Sequence, residues 1–249
     1  MKSIIVIAVV ICLSCSISGC GGGYGSSSNS QTGGLLAGNW MFTYVSSKSG
    51  SVTASGTLTQ TGNSVSGTVT ITGSCATSGI IKGTISGYSF TGTITETSPE
   101  TISVTGNIAA NGSTASGTYQ VTTATGACAA ASGDSGTWSG TPISVSGNPY
   151  VGMVRSADRM PLQLYLNLTG DPGQVSGIAT FTNSACLRSM DVTGTLTGLN
   201  LELQGDGGDD GSIVLNGTTD KEGKTLKLSL TVSGACQAES GVGTLTKIP

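Results

Sequence analysis

The chain has 249 residues, 40 of them glycine, with 9% charged residues, 4% aromatics and no histidine. Its formal net charge of −3 leaves no basic footprint for nucleic acid or for anionic lipid. The lack of histidine excludes Ser-His-Asp, Cys-His and His-ligated zinc chemistry.

Met1-Lys2 gives a short positive start, and residues 4–13 are almost wholly apolar. Small residues follow, ending at Ile17-Ser18-Gly19-Cys20. This is the layout of a secretory signal peptide and is too short to span a membrane. The tetrapeptide resembles the lipobox of bacterial lipoproteins. Cys12 lies too deep in the apolar run to serve, and Cys15 would put Cys12 where the motif wants a branched aliphatic residue. The resemblance implies cleavage after residue 19, diacylation of Cys20 and N-acylation of the new terminus, with palmitate-class chains holding the protein on a membrane. Gly21, rather than the aspartate that retains enterobacterial lipoproteins in the inner membrane, follows Cys20. The implied address is therefore the cell envelope, at the outer membrane. Residues 21–34, GGGYGSSSNSQTGG, cannot bury apolar surface and read as a flexible tether with a reach of roughly 20 Å.

The rest is one unit written twice. LTQTGNSVSGTVTITGSC at residues 58–75 aligns with LNLTGDPGQVSGIATFTNSAC at 166–186. KGTISG at 82–87 matches TGTLTG at 193–198, GAC at 126–128 matches GAC at 234–236, and GTW at 136–138 matches GTL at 243–245. Gly38-Asn39-Trp40 matches the GNPY that ends at Tyr150. Two units of about 100 residues are domains, not solenoid repeats. The expected division is signal peptide 1–19, lipidated cysteine and tether 20–37, copy one 38–141, linker 142–148 and copy two 149–249.

Within each copy apolar residues alternate with Ser or Thr, the period of strands buried on one face. In copy one strands are expected near 40–45, 52–60, 64–72, 80–87, 89–95, 101–108, 115–122 and 135–140. Turn chemistry separates them at Gly62-Asn63, Gly87 and Asn111-Gly112. Gly56, Gly67, Gly83, Gly92, Gly106 and Gly117 fall on the apolar parity, as do Gly177 and Gly194 in copy two. Inward glycines let strands coil sharply, as a small closed barrel requires. The predicted fold is all-β: two tandem antiparallel up-and-down barrels of about eight strands, with β-sandwiches as the alternative. The outer faces of Ser and Thr argue against a lipid-facing barrel. Gly38-Asn39-Trp40 resembles the G-x-W opening of lipocalins, and the layout resembles the calycins. That resemblance implies a barrel able to carry a small apolar ligand.

Cys75, Cys128, Cys186 and Cys236 stand at matched places in the two copies. Four such cysteines outside the cytoplasm read as two structural disulfides, Cys75–Cys128 and Cys186–Cys236. Without a C-x-x-C pair, a four-cysteine zinc site is disfavoured. Trp40, Tyr88, Phe90, Tyr119 and Trp138 are expected to plug a narrow barrel or to line a ligand floor. Glu202, Asp206, Asp209 and Asp210 read as an acidic hairpin loop without the order of an EF-hand, with weak calcium binding there as the alternative. Copy one carries only Lys48, Lys82, Glu96, Glu100 and Asp134, against 17 charged residues in copy two. Copy two therefore offers the more distinctive surface for a protein partner. No cofactor, catalytic group or nucleic-acid partner is expected. The reading is a non-catalytic envelope module, with an apolar-ligand carrier as the alternative.

Overall fold

The structure, a computed structural model, describes residues 34–249 apart from 49, 74, 99, 157–159, 171–172, 185, 209–210 and 235–238. The signal peptide, Cys20 and most of the tether lie outside the described residues.

Among the described residues, sixteen strands form two closed antiparallel barrels, each with strands in sequence order around the ring. The first comprises β1 Gly38–Ser46, β2 Gly50–Thr61, β3 Ser64–Thr72, β4 Ser78–Ser86, β5 Ser89–Glu96, β6 Glu100–Ile108, β7 Ala115–Ala124 and β8 Ser135–Pro142. The second comprises β9 Tyr150–Arg155, β10 Leu162–Thr169, β11 Gln174–Thr182, β12 Ser189–Thr197, β13 Asn200–Asp206, β14 Ser212–Thr219, β15 Thr225–Ser233 and β16 Glu239–Lys247. β8 closes on β1, and β16 closes on β9. Closure gives each of these strands a paired neighbour on both sides, which removes the sheet edge.

The alternation in sequence becomes inside and outside. Val65, Val69 and Ile71 of β3 point in, while Ser66, Thr68 and Thr70 point out. Hydroxyls pair across neighbouring outer positions, as Thr105 with Thr118 at 3.2 Å and Thr180 with Ser189 at 3.0 Å. Inward glycines make room for rings. A Cβ on Gly106 would lie 2.5 Å from Trp138 Cζ2, and one on Gly83 would lie 2.6 Å from Phe90 Cε2. The Trp138 indole then reaches across to donate to the Thr105 carbonyl at 3.0 Å.

Strand pairing corrects the internal alignment at two landmarks. β1 pairs Trp40 with Gly56, and β9 pairs Tyr150 with Leu166, so Leu58 corresponds to Leu168, not Leu166. Carrying the registers round the ring to β8 and β16 makes Gly136 the counterpart of Gly241, not Gly243. Both slips are two residues, so parity survives and inward residues remain inward. The cores also differ in filling. Copy one uses Trp40, Phe42, Phe90 and Trp138 with isoleucines and valines, whereas copy two is dominated by leucines such as Leu164, Leu166, Leu203 and Leu215.

Folded structure extends past the expected bounds. Leu36, in the segment read as tether, is 2% exposed within the first core. Ile143 and Val145, in the segment read as linker, belong to the second core. The barrels touch through Asn39, whose buried side-chain oxygen accepts from Thr57 Oγ1 at 2.5 Å and from the Gly198 N–H at 3.0 Å.

Candidate functional site

The hairpin loops after β1, β3, β5 and β7 gather at one mouth of the first barrel. There the Cys75–Cys128 disulfide joins the β3–β4 loop to a short 3-10 turn, Gly126–Ala131, between β7 and β8. The expected pairing is present, with a sequence separation of 53. Cys186 is also disulfide-bonded, and Cys236, its expected partner, lies outside the described residues.

Beneath that disulfide sit the three acids of copy one. Glu96, Glu100 and Asp134 are 8%, 4% and 6% exposed. Glu96 ends β5 on the inward parity of Phe90 and Ile94, and Glu100 opens β6 on the inward parity of Ile102 and Val104. The hairpin therefore delivers two carboxyl groups to one spot inside the mouth. Their oxygens and the sulfurs of Cys75 and Cys128 all lie within 4.8 Å of one another. Cys75 Sγ is 3.5 Å from Glu100 Oε2, but a disulfide sulfur has no proton to donate.

Asp134 is satisfied as an anion. It accepts from Ser46 Oγ at 2.7 Å, Ser47 Oγ at 3.1 Å and Tyr119 OH at 3.1 Å. Burial pushes its carboxyl up, yet these hydroxyls and the Ser135 N–H outweigh burial and hold it below the ordinary carboxylate range. Glu96 is the opposite case. Burial first, then the charge of Glu100 and a hydrogen bond with it, push Glu96 up to about 7. Glu100 is raised by burial, with the charge of Asp134 adding to the rise and the hydrogen bond with Glu96 opposing it. Glu96 is thus the more readily protonated of this hydrogen-bonded pair. Its other oxygen, Oε2, is buried without a hydrogen-bond partner. Burial and the charge of Glu96 also raise the Tyr44 phenol, so it stays protonated.

These groups line a cavity of about 80 Å³ together with Ser46, Val69, Ile71 and Val121. Deeper in the barrel a second cavity of about 20 Å³ is apolar, bounded by Leu36, Phe42, Phe90 and Trp138 among others. Pockets for drug-sized ligands run from about 300 Å³ upward, far above this space between the rings.

Four of the five aromatics expected inside are there. Trp40, Phe90, Tyr119 and Trp138 are buried. Tyr88 is not: it lies in the β4–β5 turn, 54% exposed, where strand parity has ended. Phe42 and Tyr44, on Trp40's parity in β1, complete the set. Phe42 stacks on Trp40 at 5.9 Å and meets Trp138 edge-on at 6.1 Å, and Tyr44 meets Tyr119 edge-on at 5.7 Å. The acidic hairpin of copy two is on the outside. Glu202 is exposed, Asp206 Oδ1 accepts from the Gly208 N–H at 2.9 Å, and Asp209 and Asp210 lie outside the described residues.

The duplication supplies an internal reference for the acid mouth. The registers make Gly207 and Gly211 the counterparts of Glu96 and Glu100, and Leu230 the counterpart of Tyr119. A barrel of this build closes without buried acids at those positions.

No known protein family matches the sequence, and no curated protein matches it. Among solved structures, the chain is similar to a provisionally assigned outer membrane protein of Bacteroides fragilis NCTC 9343, at 11% identity and a TM-score of 0.27, over 86% of this chain and 98% of that one. It is also similar to a DUF3598-family protein of unknown function from Nostoc punctiforme PCC 73102, at 10% identity and a TM-score of 0.22, over 86% and 97% of the two chains. Neither likeness transfers a function.

Proposed function

We propose that the protein is a membrane-tethered lipoprotein of the bacterial envelope, a non-catalytic interaction module built from two filled barrels. The single observation that carries the reading is Ile17-Ser18-Gly19-Cys20 behind an apolar leader, followed by a Gly/Ser tether and then by folded structure. A disulfide at Cys75–Cys128 suits an oxidising compartment. Interiors occupied by rings and leucines support a surface role over an apolar-ligand carrier. The second barrel supplies the candidate contact surface, a shallow outer groove where Arg155 and Lys227 stand beside exposed Met153 and Val242.

Fractionation of cells making the wild type and Cys20→Ser tests this. Wild type is expected in the membrane fraction and releasable by detergent, and Cys20→Ser in the soluble fraction or uncleaved. Equal partitioning of both proteins, with the leader removed from each, overturns the lipid anchor.

A further inference from the structure

We infer that the acid mouth of the first barrel is a binding site for a hard divalent cation, of which calcium fits best, with Glu96 and Glu100 as its protein ligands. The inference concerns copy one alone and does not depend on the lipid anchor.

Placement comes first. Copy one has five charged residues, and all three of its acids are buried at this one mouth. Two adjacent carboxyl groups out of water repel each other when ionised, and burying them weakens the fold unless something neutralises them. The fold does not demand them, since the second barrel closes with Gly207 and Gly211 at the same places. An acid pair retained in one copy of a duplicated scaffold is better explained by what it holds.

An independent sign of a missing partner is Glu96 Oε2. The side chain is more than nine-tenths buried, lines the cavity, and leaves this oxygen with nothing to bond. Buried carboxylate oxygens rarely go unpaired. Asp134 shows the contrast, three hydroxyls having already saturated it.

Size and chemistry select the ion. Calcium binds oxygen at 2.3–2.6 Å, so ligands on opposite sides of it stand about 4.8 Å apart. The Glu96 and Glu100 oxygens lie within that span. The cavity of about 80 Å³ has room for an ion and several waters to complete its shell. Cys75 and Cys128 are bonded to each other and offer no thiolate, so the donors are all oxygen, which disfavours soft metals. With only two carboxylates, the expected affinity is that of weak extracellular sites, Kd about 10⁻⁴–10⁻³ M. Of the groups around the pair, Asp134 is already an anion, Tyr44 and Tyr119 stay neutral, and the Lys48 ammonium is engaged at the rim with the Ser132 carbonyl at 2.9 Å. Carboxylates ligate calcium only when ionised, so protons compete for Glu96 and Glu100 and acid should expel the ion.

The test is calorimetric titration of the full-length protein, oxidised and in detergent, with calcium chloride at pH 8 and at pH 5. One saturable site is expected at pH 8, at least about tenfold weaker at pH 5. Glu96→Gln and Glu100→Gln should each weaken it by about tenfold or more while melting as folded proteins, and Asp206→Asn should leave it unchanged. No saturable binding in wild type up to about 10 mM calcium overturns the site and leaves a pair that holds only a proton. Binding that survives both glutamine variants, or is lost in Asp206→Asn, also overturns it by placing the ion elsewhere.

Discussion

Glu96 and Glu100 face each other across the β5–β6 hairpin inside the first barrel, where the second barrel has Gly207 and Gly211. Two copies of one fold thus differ at a mouth, where a pair of side chains changes the chemistry without changing the ring.

The pair makes stability depend on pH in a stated direction. Glu96 has a folded value of about 7 against an ordinary value of 4.5. Between those values the folded state keeps a proton that the unfolded chain has lost. Cation-free protein should therefore be most stable in this respect below about pH 4.5, and should lose stability as pH rises toward 7. Solvent reaching the mouth screens part of the effect, leaving a loss on the order of 1–2 kcal/mol. Asp134 has the opposite sign: lowered when folded, it contributes above its ordinary value of 3.8 and is lost in stronger acid. Thermal melts from pH 3 to 8 in chelator should show both slopes. Glu96→Gln should flatten the upper one, and an unchanged upper slope would assign it to other groups.

Removing the Cys75–Cys128 bond should cost about 4 kcal/mol in the chain-entropy model for a loop of this length. Cys75→Ser and Cys128→Ser, alone or together, should lower the urea midpoint by similar amounts. A double variant no weaker than wild type would mean the cross-link contributes nothing to the fold.

Gly106→Ala places a methyl group 2.4 Å from the Ser116 carbonyl and 2.5 Å from the Trp138 ring. Overpacking of this kind costs about 1–3 kcal/mol. Trp138 fluorescence should shift as the ring is displaced. Stability equal to wild type would show that the ring does not sit against Gly106.

Asn39→Ala should remove the acceptor that Thr57 and the Gly198 N–H share, at a cost of about 1–3 kcal/mol for stranded donors. Hydrogen exchange is the check. The Gly198 amide should lose protection while the β6–β7 ladder stays protected.

The ring itself was legible because most strands repeat one rule, apolar or glycine inward and polar, most often Ser or Thr, outward, and most turns between strands are short. A two-residue slip at Leu58 and at Gly136 left that rule intact, which is why the alignment erred without disturbing the fold. The site was less legible because it lies at strand ends. Residues 96–100, ETSPE, fall between the strands expected at 89–95 and 101–108, yet Glu96 continues the parity of Phe90 and Ile94, and Glu100 begins that of Ile102. Extending parity by one position at each end would have turned both acids inward. Tyr88 is the converse, an aromatic on the inward parity but one step into the turn, so it faces water. Phe42 and Tyr44 carried the signal plainly, two and four residues from Trp40 in the same strand. No sequence pattern marks the contact between Asn39 and Gly198, because it joins surfaces 159 residues apart.

Intact-mass and N-terminal peptide mass spectrometry of the protein recovered from membranes is the most direct measurement. The expected chain begins at Cys20, carries the added mass of acyl chains on that residue, and has no free thiol. A chain that still begins at Met1, or an unmodified Cys20 with reactive thiols at Cys75 and Cys128, would contradict an exported, lipid-anchored and oxidised protein.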